Sequence, residues 1–152
     1  MTKEKSNIVL IGMPGSGKST IGVILAKMTT RDFVDTDVVI QTSQGRSLQD
    51  IVDTEGHQGL RRIEEDILRD LRCSYHVIAT GGSAVYSDSA MKNLKSGGVI
   101  VFLDVDLVTL TSRVKNFDTR GLVRRPDQSL EDLFRERYDL YRKYAEITIE
   151  CA

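Results

Sequence analysis

Gly12-Met13-Pro14-Gly15-Ser16-Gly17-Lys18-Ser19-Thr20 fills the template G-x-x-x-x-G-K-[ST] without a gap. The apolar run before it, Asn7 to Ile11, reads as a buried strand, and Lys18 to about Met28 continues as a helix. A strand, a glycine-rich turn and a helix in that order form a cradle for phosphate. Gly12, Gly15 and Gly17 let successive backbone N–H groups converge on one anion, and the helix opening adds its positive end. Lys18 can reach β- and γ-phosphates, and the Ser19 hydroxyl can hold Mg²⁺. An ordinary glycine-rich turn would have no need of Lys-Ser in these two slots.

Around this stretch the chain has the size of one domain, 152 residues, with 40% apolar and 28% charged residues. A net charge of −1 gives no support to a general nucleic-acid or membrane-surface binder. The two cysteines, Cys73 and Cys151, form no C-x-x-C pair and no cluster with His57 or His76, so they read as reduced thiols. With no apolar signal core and no segment long enough to span a bilayer, the expected setting is the cytoplasm.

Beyond the first helix, Phe33-Val34-Asp35 reads as a short strand ending in the acid-bearing turn Asp35-Thr36-Asp37. In open α/β sheets, ligands bind at the carboxyl ends of the strands, so both carboxylates are expected in the crevice of the phosphate loop. Two residues apart on an extended segment, they would point the same way. The plainer alternative is that Asp37 only caps a helix from Val38 to about Thr42. A further helix opens at Ser47, is interrupted at Gly56, and resumes as an amphipathic helix over Leu60 to Leu71. Its polar residues Arg61, Arg62, Glu64, Glu65 and Asp66 read mostly as solvated surface.

His76 to Ala79 is a third strand, ending at Thr80-Gly81-Gly82-Ser83, where paired glycines admit a ligand close to the backbone or simply make a tight turn. A helix over Ser87 to Lys95, a turn at Gly97-Gly98, a strand at Val99 to Leu103 and a helix over Leu107 to Val114 follow. The basic segment from Lys115 to Asp127 suits a lid that closes over phosphates, with an exposed basic loop as the alternative. Ser129 to Tyr144 is a charged helix, and Ala145 to Glu150 a last strand. Strand–helix alternation implies a parallel sheet with helices on both faces.

Taken in order, these motifs resemble the shikimate kinase family over nearly the whole chain. F-V-D-T-D is similar to the family's acid pair. E-G-H-Q-G-L-R-R-I-E-E is similar to its G-E-x-x-F-R-x-x-E helix segment, and A-T-G-G-S-A-V to its Gly-Gly-Gly turn. Arg113 and Arg120 keep the spacing of two arginines leading into the lid, where R-G-L-V stands for R-P-L-L. Arg137 in R-Y-D-L-Y matches the arginine of R-x-P-L-Y.

The resemblance implies a three-layer α/β/α P-loop kinase fold with a five-stranded parallel sheet. It forms a single domain over residues 1–152, with substrate-binding helices at about 36–72 and a lid at about 115–127. It implies that Gly15, Ser16, Gly17, Lys18, Ser19 and Thr20 hold ATP phosphates, with Arg113 near the adenine. Ser19, and Asp35 through water, would hold Mg²⁺. Asp37 would bind the reacting hydroxyl and act as base, Arg61 and Arg137 would pair the substrate carboxylate, and the Gly81-Gly82 turn would offer backbone N–H groups. Arg120 would reach the transferring phosphoryl group.

The implied activity is transfer of the γ-phosphoryl of ATP to the 3-hydroxyl of shikimate, in a monomer without nucleic-acid or membrane partners. A related hydroxy-acid kinase and a catalytically weak nucleotide-binding relative are the alternatives. The chain departs from the pattern at His57 for Glu, Leu60 for Phe, Ser83 for the third Gly and Gly121 for the lid Pro. If position 83 needs a positive φ, serine there costs about 1 kcal/mol or more. The sequence ends at Ala152 without the loop and final helix usual in the family, whose absence would uncover one flank of the sheet.

Overall fold

A computed structural model describes residues 5–114 and 128–151. The expected lid, with Arg120 and Gly121, lies outside the described residues.

Five strands run in chain order as β1 (Asn7–Ile11), β2 (Asp32–Asp35), β3 (His76–Ala79), β4 (Gly98–Val105) and β5 (Ile147–Cys151). They form one sheet in the order β2-β3-β1-β4-β5, with every neighbouring pair parallel. The helices are α1 (Lys18–Thr29), α2 (Thr36–Gln44), α3 (Leu48–Asp70), α4 (Asp88–Gly97), α5 (Leu107–Val114) and α6 (Leu130–Tyr144), with a 3-10 turn at Ala84–Tyr86.

Alternation along the strands sorts the core into two faces. Leu10, Val77, Val101 and Leu103 pack with Ala26 of α1 on one face. Val9, Ile11, Ile78, Ile100 and Phe102 pack on the other with Leu68, Met91, Leu94, Leu133 and Tyr141, from α3, α4 and α6. A smaller cluster of Ile40, Ile51 and Leu60 joins α2 to α3. Close packing on the α1 side depends on Gly22, where a Cβ would lie 2.5 Å from the Phe33 ring.

Registry carries this architecture to the site. Leu10 and Asp35 both pair with Ala79, so the carboxyl ends of β1, β2 and β3 are level. The segments leaving those ends share one rim. Thr80 fastens it, donating from both its backbone N–H (3.2 Å) and its hydroxyl (2.9 Å) to the Leu10 carbonyl.

Several boundaries differ from the sequence reading. Helix α2 is longer than Val38 to Thr42, because Asp35 rather than Asp37 is its cap: the Asp35 carboxylate accepts from the Asp37 N–H. The break at Gly56 is present, with φ 75° and ψ 177°, a conformation that excludes a Cβ. No turn forms at Gly97-Gly98, where helix passes directly into a strand longer than expected. Strand β5 is mostly exposed, with Ile147 and Ile149 about half open to solvent.

Candidate active site

The loop between β1 and α1 follows its glycines. Gly15 and Gly17 have φ of 82° and 95°, and Gly17 stands at the helix start in the left-handed region. The Lys18 amine reaches back over the loop, donating to the carbonyls of Gly12 (2.6 Å) and Met13 (2.9 Å). Burial pulls its pKa down to about 8, against the attraction of Asp37 and with the repulsion of Arg137 adding to the fall. Beside it, the Ser19 hydroxyl donates to Asp35 at 2.8 Å. Arg113, on the exposed side, donates to the Gly15 carbonyl at 2.9 Å.

A cavity of about 790 Å³ opens over this loop. Its walls include Gly15 to Thr20, Asp35, Asp37, Gly81, Gly82, Arg113 and Arg137, so most of the expected site residues converge on one space. Asp35 ends a strand and Asp37 lies in the first turn of α2, so they do not share an extended segment as the sequence suggested. The registry of the strand ends, and not two-residue alternation, brings both to the cavity. Burial raises the Asp37 pKa, and the neighbouring Asp35 charge adds to the rise.

The glycine pair has a steric reason. A Cβ on Gly81 would meet Asp37 Oδ1 at 2.6 Å and Glu64 Oε2 at 2.9 Å. One on Gly82 would meet Arg137 Nη1 at 2.6 Å and Pro14 Cδ at 3.0 Å. The Gly81 N–H donates to the Thr36 hydroxyl at 3.3 Å. Serine at position 83 carries no strain, because its φ is −91°. Instead its hydroxyl donates to Glu64 Oε1 at 2.7 Å.

Arg137 is 1% exposed. Burying a guanidinium costs several kcal/mol, which hydrogen bonding must offset. Its Nε donates to the Tyr86 hydroxyl at 3.2 Å. Tyr141, also buried, donates to the Gly82 carbonyl at 2.8 Å and fixes the turn against α6. Arg61 sits differently from expectation: it is exposed, is not part of the cavity wall, and lies over the Tyr86 ring at 3.9 Å. It borders a second, smaller cavity of about 190 Å³, which shares Glu64 and Ser83 with the first.

Glu64 is the residue that sequence reading misplaced. It is not solvated surface but 5% exposed, and burial pushes its pKa up to about 7, opposed by the Ser83 hydrogen bond. A signal existed. Leu60, Glu64 and Leu68 are spaced by four, and both leucines are buried, so the glutamate lies on the apolar stripe. A charge on that stripe is a site candidate. Tyr86 gave no such signal, since its partners come from distant helices.

The family model for shikimate kinase matches residues 14–152. The shikimate kinase of Vibrio parahaemolyticus is 38% identical over 149 residues, covering 96% of this chain and 87% of the relative. That of Rhizobium meliloti is 36% identical over 151 residues, covering 97% and 78%. Among solved structures, a shikimate kinase from Acinetobacter baumannii in complex with shikimate superimposes with a TM-score of 0.89 at 34% identity, covering 97% of this chain and 84% of that one. The shikimate kinase of Aquifex aeolicus superimposes with a TM-score of 0.78 at 32% identity, covering 95% and 85%. The level strand ends, the phosphate loop and this similarity over nearly the full length agree, and the chain belongs to the shikimate kinase family.

Proposed function

We propose that this protein transfers the γ-phosphoryl group of ATP to the 3-hydroxyl of shikimate. One observation carries the reading: a single cavity joins the phosphate loop to Asp37, Gly81 and the buried Arg137. A nucleotide at one end and a hydroxy acid at the other meet there. The shikimate bound to the Acinetobacter relative supports the choice of acceptor.

The work of the protein is positioning and charge stabilisation. Gly15 to Thr20 hold the phosphates with backbone N–H groups, and Lys18 turns from its carbonyl contacts to them. Arg113 lies at the outer side of this loop, toward the adenine. Asp37 orients the acceptor hydroxyl and takes its proton, and its raised pKa makes it a better base than a solvated aspartate. Arg137 and Arg61 pair the acceptor carboxylate, for which a planar guanidinium suits better than an amine. Arg120 would offset charge on the transferring phosphoryl group.

The oxygen donors Ser19 and Asp35, 2.8 Å apart at the phosphate loop, fit Mg²⁺. Among the described residues no three His, Cys, Asp or Glu gather as a metal cage, and Mg²⁺ held largely by phosphates and water needs none. When bound, the ion supplies positive charge to the phosphate oxygens.

Among the described residues no helix is long and apolar enough to cross a membrane, and both cysteines are free. The test is ADP formation in a coupled assay with ATP and Mg²⁺, with and without shikimate. ADP that depends on shikimate sustains the reading. Nucleotide binding without that dependence, together with turnover of another hydroxy acid, moves the protein to a related acceptor.

A further inference from the structure

Tyr86 stands where two arginines from different helices meet. The Arg61 guanidinium, from α3, lies over its ring with Cζ 3.9 Å from the centroid, and Arg137, from α6, has Cζ at 5.3 Å. The Tyr86 hydroxyl accepts from Arg137 Nε at 3.2 Å and donates to Glu136 at 3.0 Å. We infer that Tyr86 is the positioning residue of the acid-binding end of the site, holding Arg61 by its ring face and Arg137 by its hydroxyl so that both guanidiniums engage one acceptor carboxylate. The inference rests on the reading of those two arginines as the carboxylate clamp.

The physical argument has three parts. Two cations on one side chain repel each other, so the pair is favoured most when an anion bridges it. The aromatic ring is the neutral spacer that permits the approach, because its face attracts a guanidinium. The hydrogen-bond chain from Arg137 through Tyr86 to Glu136 has a fixed direction. Because the Tyr86 proton goes to Glu136, the phenol oxygen is oriented to receive Nε, and one edge of the Arg137 fork is fixed. Nη1 is then placed against Gly82, at the cavity.

Tyr86 also sits on a short 3-10 turn that begins directly after Ser83, in the same loop as the glycine pair. Movement of the turn that receives the acceptor therefore moves the residue that aims both arginines. The ring does not line the main cavity. Its effect on the acceptor passes through the arginines, and this sets it apart from Asp37 or Gly81.

The experiment compares Tyr86→Phe and Tyr86→Leu with Arg61→Ala and Arg137→Ala. Readouts are KM for shikimate, KM for ATP, kcat at saturating shikimate, and far-UV circular dichroism to check folding. Tyr86→Phe keeps the ring beside both arginines and loses the Arg137 hydrogen bond; the shikimate KM is expected to rise about three- to tenfold. Tyr86→Leu loses both contacts and is expected to raise it further, with the ATP KM and kcat within about twofold of the parent. In an Arg137→Ala background, Tyr86→Phe is expected to add almost nothing.

If the arginine variants raise the shikimate KM and Tyr86→Phe, still folded, does not, the positioning role is overturned and the clamp stands. Equal losses in kcat and both KM values for Tyr86→Phe also overturn it, since they report a general structural defect. If neither arginine variant changes the shikimate KM, the clamp fails and takes this inference with it.

Discussion

On the proposed reading, the nucleotide end of the cavity is one unbroken run of wall, Pro14 to Thr20, whose glycines turn backbone N–H groups toward phosphate. The proposed acceptor end is assembled from Asp37 on α2, Glu64 on α3, Gly81 and Gly82 after β3, and Arg137 on α6. A site made of backbone keeps its geometry as long as its glycines remain. A site made of side chains from four places depends on packing and on each partner's charge. Damage at the acceptor end that leaves the phosphate loop untouched should therefore spare nucleotide binding, and the first two predictions below test that separation.

The largest effect is expected for Asp37→Asn. The amide keeps the size of the side chain and cannot take a proton. Transfer should fall by about 10²- to 10⁴-fold with ATP affinity retained. Nucleotide binding by titration, beside the coupled rate, decides it. A parallel loss of ATP affinity would mean that Asp37 belongs to the nucleotide end and that the division is misplaced.

Next comes Gly81→Ala. The added Cβ would collide with Asp37 and Glu64 and with no group of the phosphate loop. Misplacing the acceptor by about 1 Å can cost about 10²-fold in rate. Gly82→Ala is the instructive partner, because its Cβ would press on both Arg137 and Pro14 of the loop. The first variant should lower turnover with the ATP dissociation constant unchanged, while the second should weaken both substrates. Identical behaviour of the two would erase the boundary drawn between the ends.

The same contrast explains what could be read from the sequence. The phosphate loop was fully legible, since its spacing is its geometry. The five parallel strands were legible too, because buried β runs and helical periods alternate along the chain. Asp37 was found, but for a reason the fold does not use: its place comes from the level ends of β1, β2 and β3, a pairing between distant segments. Glu64 was read as surface together with the other polar residues of its helix, although its spacing from Leu60 and Leu68 placed it inside. Tyr86 was out of reach, since its role exists only once α3 and α6 converge on it.

At the nucleotide end a smaller, pH-dependent effect is expected. Lys18 has a pKa of about 8, lowered chiefly by burial. A bound phosphate would raise it again, so nucleotide affinity should be flat below pH 8. Above that it should fall, by at most about tenfold per pH unit. Titration of ATP binding from pH 7 to 9.5 checks this, and Lys18→Arg, which stays charged, should flatten the curve. A flat profile in the parent would mean that the amine is not the group that meets the phosphates.

The smallest effect concerns Ser83, and here the structure reverses an argument from sequence. If serine strained a glycine position, Ser83→Gly would stabilise the protein; with φ at −91° there is no strain to release. The substitution instead removes the hydrogen bond to Glu64, and that bond favours the ionised carboxylate. The folded pKa of Glu64, about 7, lies above the ordinary 4.5. The folded state therefore holds the proton more tightly, and this contribution to stability is present at pH 4.5 and is lost as pH rises to 7. Above pH 7 the buried charge relies on Ser83. Ser83→Gly should cost about 1 kcal/mol at pH 8 and less at pH 5, measured by denaturant unfolding at both. A penalty equal at the two pH values would mean that the hydroxyl packs without supporting the charge, and that the acceptor end is less electrostatic in construction than its buried Glu64 suggests.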